Sequence, residues 1–123
     1  MKRMTKKKII KKGNCFERSF NLLVAGSWDG QSVEIYFGIP MLVHGIVWHD
    51  DTGRHVHGWV EDDIFCYDFI NGTLKAIPKQ RYYELGYIEE HKPRNLFRYT
   101  TIQAKIKYIQ LNQYYFSDLA SKR

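Results

Sequence analysis

His55-Val56-His57-Gly58-Trp59-Val60-Glu61, followed by Asp62-Asp63 and then Ile64-Phe65-Cys66-Tyr67-Asp68-Phe69-Ile70, reads as two strands joined by a tight turn. β-Branched and aromatic residues crowd both runs, and two polar residues part them. Asp-Asp suits a two-residue turn less well than Asn-Gly, because the favoured turns need positive φ. With Asp62-Asp63 as the loop, Glu61 pairs with Ile64, Trp59 with Cys66 and His57 with Asp68. Side chains alternate with period two, so His57, Trp59, Cys66 and Asp68 share one face. An imidazole and a carboxylate directly opposed there lie within hydrogen-bonding reach. A slip of one residue would put them on opposite faces.

The second informative stretch lies upstream. Gly13-Asn14 precedes Cys15-Phe16-Glu17-Arg18-Ser19-Phe20-Asn21-Leu22-Leu23-Val24-Ala25, which closes at Gly26. Asn14 is a good helix N-cap, and Glu17 three residues on completes a capping-box-like pair. Phe16, Phe20, Leu23 and Val24 recur at helical spacing and form the expected buried stripe. Cys15 then holds the first helical position, beside unpaired N–H groups and the positive end of the helix dipole. Both favour a thiolate there. Lys11 and Lys12 push the same way, weakly, because exposed charges are screened.

Around these two elements the rest of the chain is read as one unit. At 123 residues, with 44% hydrophobic and 15% aromatic residues, it suits a single folded domain with one modest core. Residues 13–123 are assigned to that domain and 1–12 to a basic, flexible leader. The leader carries Lys2, Arg3, Lys6, Lys7, Lys8, Lys11 and Lys12, which supply much of the net charge of +6. Such blocks are usually solvated tails, though they also permit weak contact with nucleic acid. No apolar run reaches the ~18 residues of a membrane span, and the leader lacks the apolar stretch of a signal peptide. Two cysteines and no export signal point to a reduced, cytoplasmic setting without a disulfide.

The segments between fall into place by pattern. Ser27-Trp28-Asp29-Gly30-Gln31-Ser32 is turn-rich. Val33–Phe37 and Met41–Trp48 read as strands interrupted by Gly38-Ile39-Pro40, and Asp50-Asp51-Thr52-Gly53 is a turn into the His55 strand. A small antiparallel sheet of three or four strands follows. Pro78 to Tyr87 reads as a short helix with proline in its first turn. Thr100-Thr101-Ile102-Gln103 is a capping box opening a helix with an Ile102, Ile106, Ile109 stripe. Tyr114-Tyr115-Phe116 is expected to pack back onto the sheet. Helix, sheet, then helices makes an α+β fold, an N-terminal helix on a small antiparallel sheet with C-terminal helices.

A cysteine opening a helix, then His57-Gly58-Trp59-Val60-Glu61, then a strand closing on Tyr67-Asp68 resembles the transglutaminase-like core of papain-like cysteine hydrolases. That group orders its residues Cys, His, Asp. Its histidine strand often reads His-Ala-Trp-Val-Glu, ahead of a Tyr-Asp or Ile-Asp string. The similarity runs from Asn14 to Asp68, about half the chain. The stretches Tyr82–Ile88 and Arg98–Thr100 are similar to small phage or bacterial members. Gly58 stands where alanine is usual. No glutamine precedes Cys15, and the insertions that build a peptide cleft in larger relatives are missing.

The resemblance implies acyl transfer through a thioester, with no cofactor. Cys15 would attack an amide carbonyl of a protein or peptide, His57 would shuttle the proton, and Asp68 would fix the imidazole tautomer. Backbone N–H groups at the helix start, with Asn14, would serve the oxyanion. Trp59 would wall the site, or simply belong to the core. Two other readings stand beside it. His55-x-His57, with Cys66, His44 and Asp68, offers metal-ligand types, but at no established spacing. A non-catalytic binding module for nucleic acid or a protein would use the basic leader and the tyrosines Tyr82, Tyr83, Tyr87, Tyr99, Tyr108, Tyr114 and Tyr115. No RNP, KH or helix-turn-helix signature supports that module.

Overall fold

The computed structural model describes residues 15–51, 53–92 and 94–119. The expected leader and Asn14 lie outside the described residues. Helix α1 (Cys15–Val24) is followed by a two-strand ribbon, β1 (Ser27–Trp28) and β2 (Gln31–Ser32). Then come β3 (Met41–His49), β4 (Gly53–Glu61), β5 (Phe65–Ile70), β6 (Thr73–Pro78), helix α2 (Lys79–Leu85), β7 (Leu96–Tyr99) and helix α3 (Thr101–Leu111). The main sheet has five antiparallel strands in the order β6-β5-β4-β3-β7. This is a mixed α+β fold.

Two apolar clusters cover the two faces of the sheet. Phe20, Leu22 and Leu23 of α1, Ala104 of α3 and Phe116 pack with Leu42, Val60, Tyr67 and Tyr99. On the other face Val43, Val47, Trp59 and Cys66 pack under Tyr82 of α2 and Ile88. Apolar packing therefore covers both faces of the sheet.

The central hairpin differs from expectation by its register. Glu61 pairs with Cys66 and Val60 with Tyr67, whereas a loop at Asp62-Asp63 would pair Glu61 with Ile64. The reason is Asp62. Its N–H donates to the Phe65 carbonyl, and its carboxylate accepts the N–H groups of Ile64 and Phe65 at 2.9 and 2.8 Å. Asp62 thus ends the strand and the loop becomes Asp63-Ile64. Moving the loop by one residue moves each partner by two, so every side chain keeps its face.

Val33–Phe37 is not a strand. Its backbone is tied to the hairpin tip instead: the Phe37 N–H reaches Asp62 Oδ2 at 2.8 Å, and the Phe37 carbonyl accepts from Asp63 N–H. Strand β6 was not foreseen. Its turn is Asn71-Gly72, both at positive φ (53° and 80°), the signature of a two-residue hairpin loop. Pro78 flanks α2 rather than entering it. The capping box of Thr100 and Gln103 forms as expected, but the isoleucine stripe is reversed. Ile102, Ile106 and Ile109 are exposed, while α3 packs through the fully buried Ala104 and through Tyr108 against Phe20.

Candidate active site

The site grows from a break in the sheet. Strand β4 pairs with β3 from Glu61 to Gly53, and β5 pairs with β6 from Phe65 to Ile70. Between β4 and β5 the ladder holds only at Val60–Tyr67 and Glu61–Cys66. Beyond those pairs the two strands diverge, and the first turn of α1 meets β4 at the break. A Cβ placed on Gly58 would lie 3.0 Å from Phe16 Cδ1, 3.0 Å from Ser19 Oγ and 3.5 Å from the Cys15 carbonyl. Glycine at this position is thus the condition for α1 to approach the histidine strand so closely. Ser19, buried, turns its hydroxyl back onto the Cys15 carbonyl at 2.6 Å.

His57 and Asp68 meet across the divergence. His57 Nε2 lies 2.8 Å from Asp68 Oδ2. With the register shifted by two they are diagonal neighbours rather than directly opposed, a span that an imidazole and a carboxylate bridge. The Cys15 thiol is close enough to the His57 ring to help stabilise its protonated form. Asp68 is held from three sides: Oδ2 also accepts the Tyr82 hydroxyl at 2.6 Å, and Oδ1 accepts the Phe69 N–H at 2.8 Å.

The electrostatics follow from that arrangement. Burial pulls the His57 imidazole toward its neutral form, but the Asp68 charge and hydrogen bond, with Cys15 adding to them, outweigh it. The ring is pushed up to about 10, so it is an imidazolium at neutral pH. Burial and the Asp68 carboxylate raise the Tyr82 phenol well above its ordinary range, which keeps it a donor. Cys66 is different. It is fully buried, and burial, then the Glu61 charge, drive its thiol far up, which leaves it inert as a nucleophile.

No family model, curated protein or solved structure matches this chain. The reading of the site therefore rests on its own geometry.

Trp59 is fully buried and stacks on His57 at 6.1 Å between ring centroids, with Tyr82 on it at 5.2 Å. What it touches is the imidazole. Its indole N–H donates to Glu61 Oε1 at 3.2 Å. Glu61, itself buried, is gripped by Arg98 Nε at 2.7 Å and by the Tyr83 hydroxyl at 2.7 Å. Burial opposes the ionised Glu61 carboxylate, yet Arg98 and Tyr83 hold it below its ordinary range. This network fixes the floor on which the histidine stands.

From sequence Tyr82 is named only among the tyrosines of a non-catalytic binding module, and Ser19 and Arg98 are given no site role. For Tyr82 a signal existed, the helix beginning after Pro78, but nothing in its spacing revealed which sheet face that helix would cover. The metal-ligand types disperse. His44 sits on the α1 face, boxed by Phe16, Tyr99 and Phe116, and His55 stacks on His49. Among the described residues no three His, Cys, Asp or Glu side chains converge to hold a metal ion. A groove of about 1090 Å³ along α2, lined by Lys79, Tyr83, Tyr87 and Glu89, contains none of Cys15, His57 or Asp68. Among the described residues no helix is long and apolar enough to cross a membrane.

Proposed function

We propose that this protein is a cysteine-dependent amide hydrolase or acyl transferase of the papain-like, transglutaminase-like kind. The observation that carries the reading is the His57–Asp68 hydrogen bond beside the first turn of α1, which brings Cys15 close enough to act on the protonated ring. Cys15 Sγ attacks the carbonyl carbon of a peptide or side-chain amide, forming a C–S bond and a tetrahedral oxyanion. N–H groups of the first turn of α1 face that oxygen, since the opening turn of a helix has no internal acceptors for them. The imidazolium gives its proton to the leaving nitrogen, the C–N bond breaks, and a thioester remains. Neutral His57 then takes a proton from water or an amine as it attacks the thioester, and Cys15 leaves as thiolate. Asp68 keeps the ring oriented and balances its charge throughout.

Alkylation kinetics test the reading. Iodoacetamide is expected to label Cys15 rapidly at pH 6–7, and His57→Gln to slow that labelling at least about tenfold. Equal rates in the two proteins would remove the proposal. A peptidyl electrophile should likewise leave one adduct, on Cys15, and none in Cys15→Ala.

A further inference from the structure

The break between β4 and β5 leaves one strand edge beside Cys15 without a partner strand among the described residues. Backbone N–H and C=O groups alternate in direction along a strand, and the parity here is fixed by observed bonds. Asp62 N–H points to β5, bonding the Phe65 carbonyl, so Val60, Gly58, Val56 and Arg54 also point that way. The odd residues of β4 serve β3. Strand β3 obeys the same rule, its Ile46 and Trp48 N–H groups turning away from β4 to the carbonyls of Asn95 and Gly86. Yet β5 pairs with this edge only at Val60 and Glu61. The Phe69 N–H, which a continued ladder would direct at Gly58, is held by Asp68 Oδ1. Below Gly58, among the described residues, no strand pairs with the Arg54–Val56 edge of β4.

The upper limit of this open edge is the reactive site itself. The Cys15 carbonyl, Phe16 and Ser19 close over Gly58, and His57 lies next along the strand. A regular strand with unpaired donors and acceptors is a template for one more strand. We propose that the Arg54–Gly58 edge of β4 takes an extended peptide as an added strand and so delivers its amide carbonyl to Cys15. The substrate class is then a peptide or protein segment bound through its main chain, not a free amino-acid amide. This rests on the hydrolase reading above and deepens it.

The test uses the full chain and a tetrapeptide ending in an electrophilic glycine derivative, with the rate of Cys15 adduct formation read by mass spectrometry. Two N-methylated versions of the probe block alternate amides. Only alternate amides of an added strand face β4, so one version is expected to react about tenfold more slowly and the other at the parent rate. Parent rates for both versions, or equal slowing of both, would overturn the inference. Val56→Pro deletes an N–H that points away from β3. It is expected to lower the peptidyl rate about tenfold and leave the iodoacetamide rate unchanged; an unaltered peptidyl rate counts against the edge. If Val56→Pro lost both rates through misfolding, the probe comparison on the unmodified chain would still decide. Slow iodoacetamide labelling of Cys15 in the unmodified chain would instead sink the hydrolase reading, and this inference with it.

Discussion

Asp68 Oδ2 accepts from both His57 and Tyr82, so the two donors compete for one oxygen, and this makes opposite predictions for two variants. In Asp68→Asn the carboxylate charge that overcame burial is gone. Burial then acts unopposed, and His57 is expected to fall from about 10 to below its ordinary 6.5. Cys15 alkylation at pH 8 should drop at least about tenfold as the imidazolium disappears. In Tyr82→Phe the carboxylate loses a donor and more of its charge falls on the histidine. The loss of imidazolium at high pH should then move above 10, at a cost to stability of about 1 kcal/mol. Histidine ring NMR across the pH range reads both shifts. A downward shift in Tyr82→Phe would contradict the competition. Cys15 stood out in the sequence by its place at a helix start, and His57 with Asp68 by strand parity, which puts the two on one face. Tyr82 did not, because its place depends on how α2 folds over the sheet.

At the scale of elements, the approach of α1 to β4 is the dimension that brings the sulfur to the ring. Gly58→Val puts branched carbon where Phe16 and Ser19 already stand at 3.0 Å from a bare Cβ. Valine suits a strand, so β4 should persist while α1 is pushed outward. The expected cost is about 1–3 kcal/mol, with Cys15 alkylation falling toward that of an ordinary thiol. Thermal unfolding and labelling rate together check this. Alkylation at the parent rate in a folded Gly58→Val would show that the helix is not the positioning element. Gly72→Ala is a contrasting case far from the site. Its φ of 80° strains alanine, costing about 1 kcal/mol, without change in labelling. These elements were unequally legible. α1 and β3 to β5 carry strong apolar periodicity and were expected within a residue or two. β6 is short, mostly exposed and ends on Pro78, and its clearest mark, Asn71-Gly72, is a turn rather than a strand signal. α3 was recognised by its capping box but turned inside out. Its contact with α1 needs a small residue, Ala104, where a stripe of isoleucines predicts a broad apolar one.

For the whole molecule, two histidines of opposite sign set the dependence of stability on pH. His44 is 1% exposed, neither ring nitrogen has a partner among the described residues, and burial lowers it to about 3. Between about pH 3 and its unfolded value near 6.5, the unfolded chain binds a proton there that the folded chain refuses. Stability therefore falls as pH drops through that window, by up to about 1.4 kcal/mol per unit. His57 does the reverse. Its folded value near 10 means the folded chain holds a proton that the unfolded chain has lost above 6.5. Its contribution is complete below 6.5 and drains away as pH rises toward 10. The two slopes meet near pH 6.5, where denaturation midpoints are expected to peak. His44→Phe separates them. The phenyl ring fits the box of Phe16, Tyr99 and Phe116 without stranded nitrogens, so stability at neutral pH should hold or rise by about 1 kcal/mol. The acid-side slope between pH 5 and 6.5 should vanish, while the alkaline slope from His57 remains. That interval lies above the ordinary carboxylate values near 4, where the unfolded chain begins to take up the protons that Glu61 and Asp62, both held below those values when folded, refuse, so His44 dominates there. Urea midpoints at pH 5, 6.5 and 9 for both proteins decide it: an acid slope that survives in His44→Phe would place its origin elsewhere.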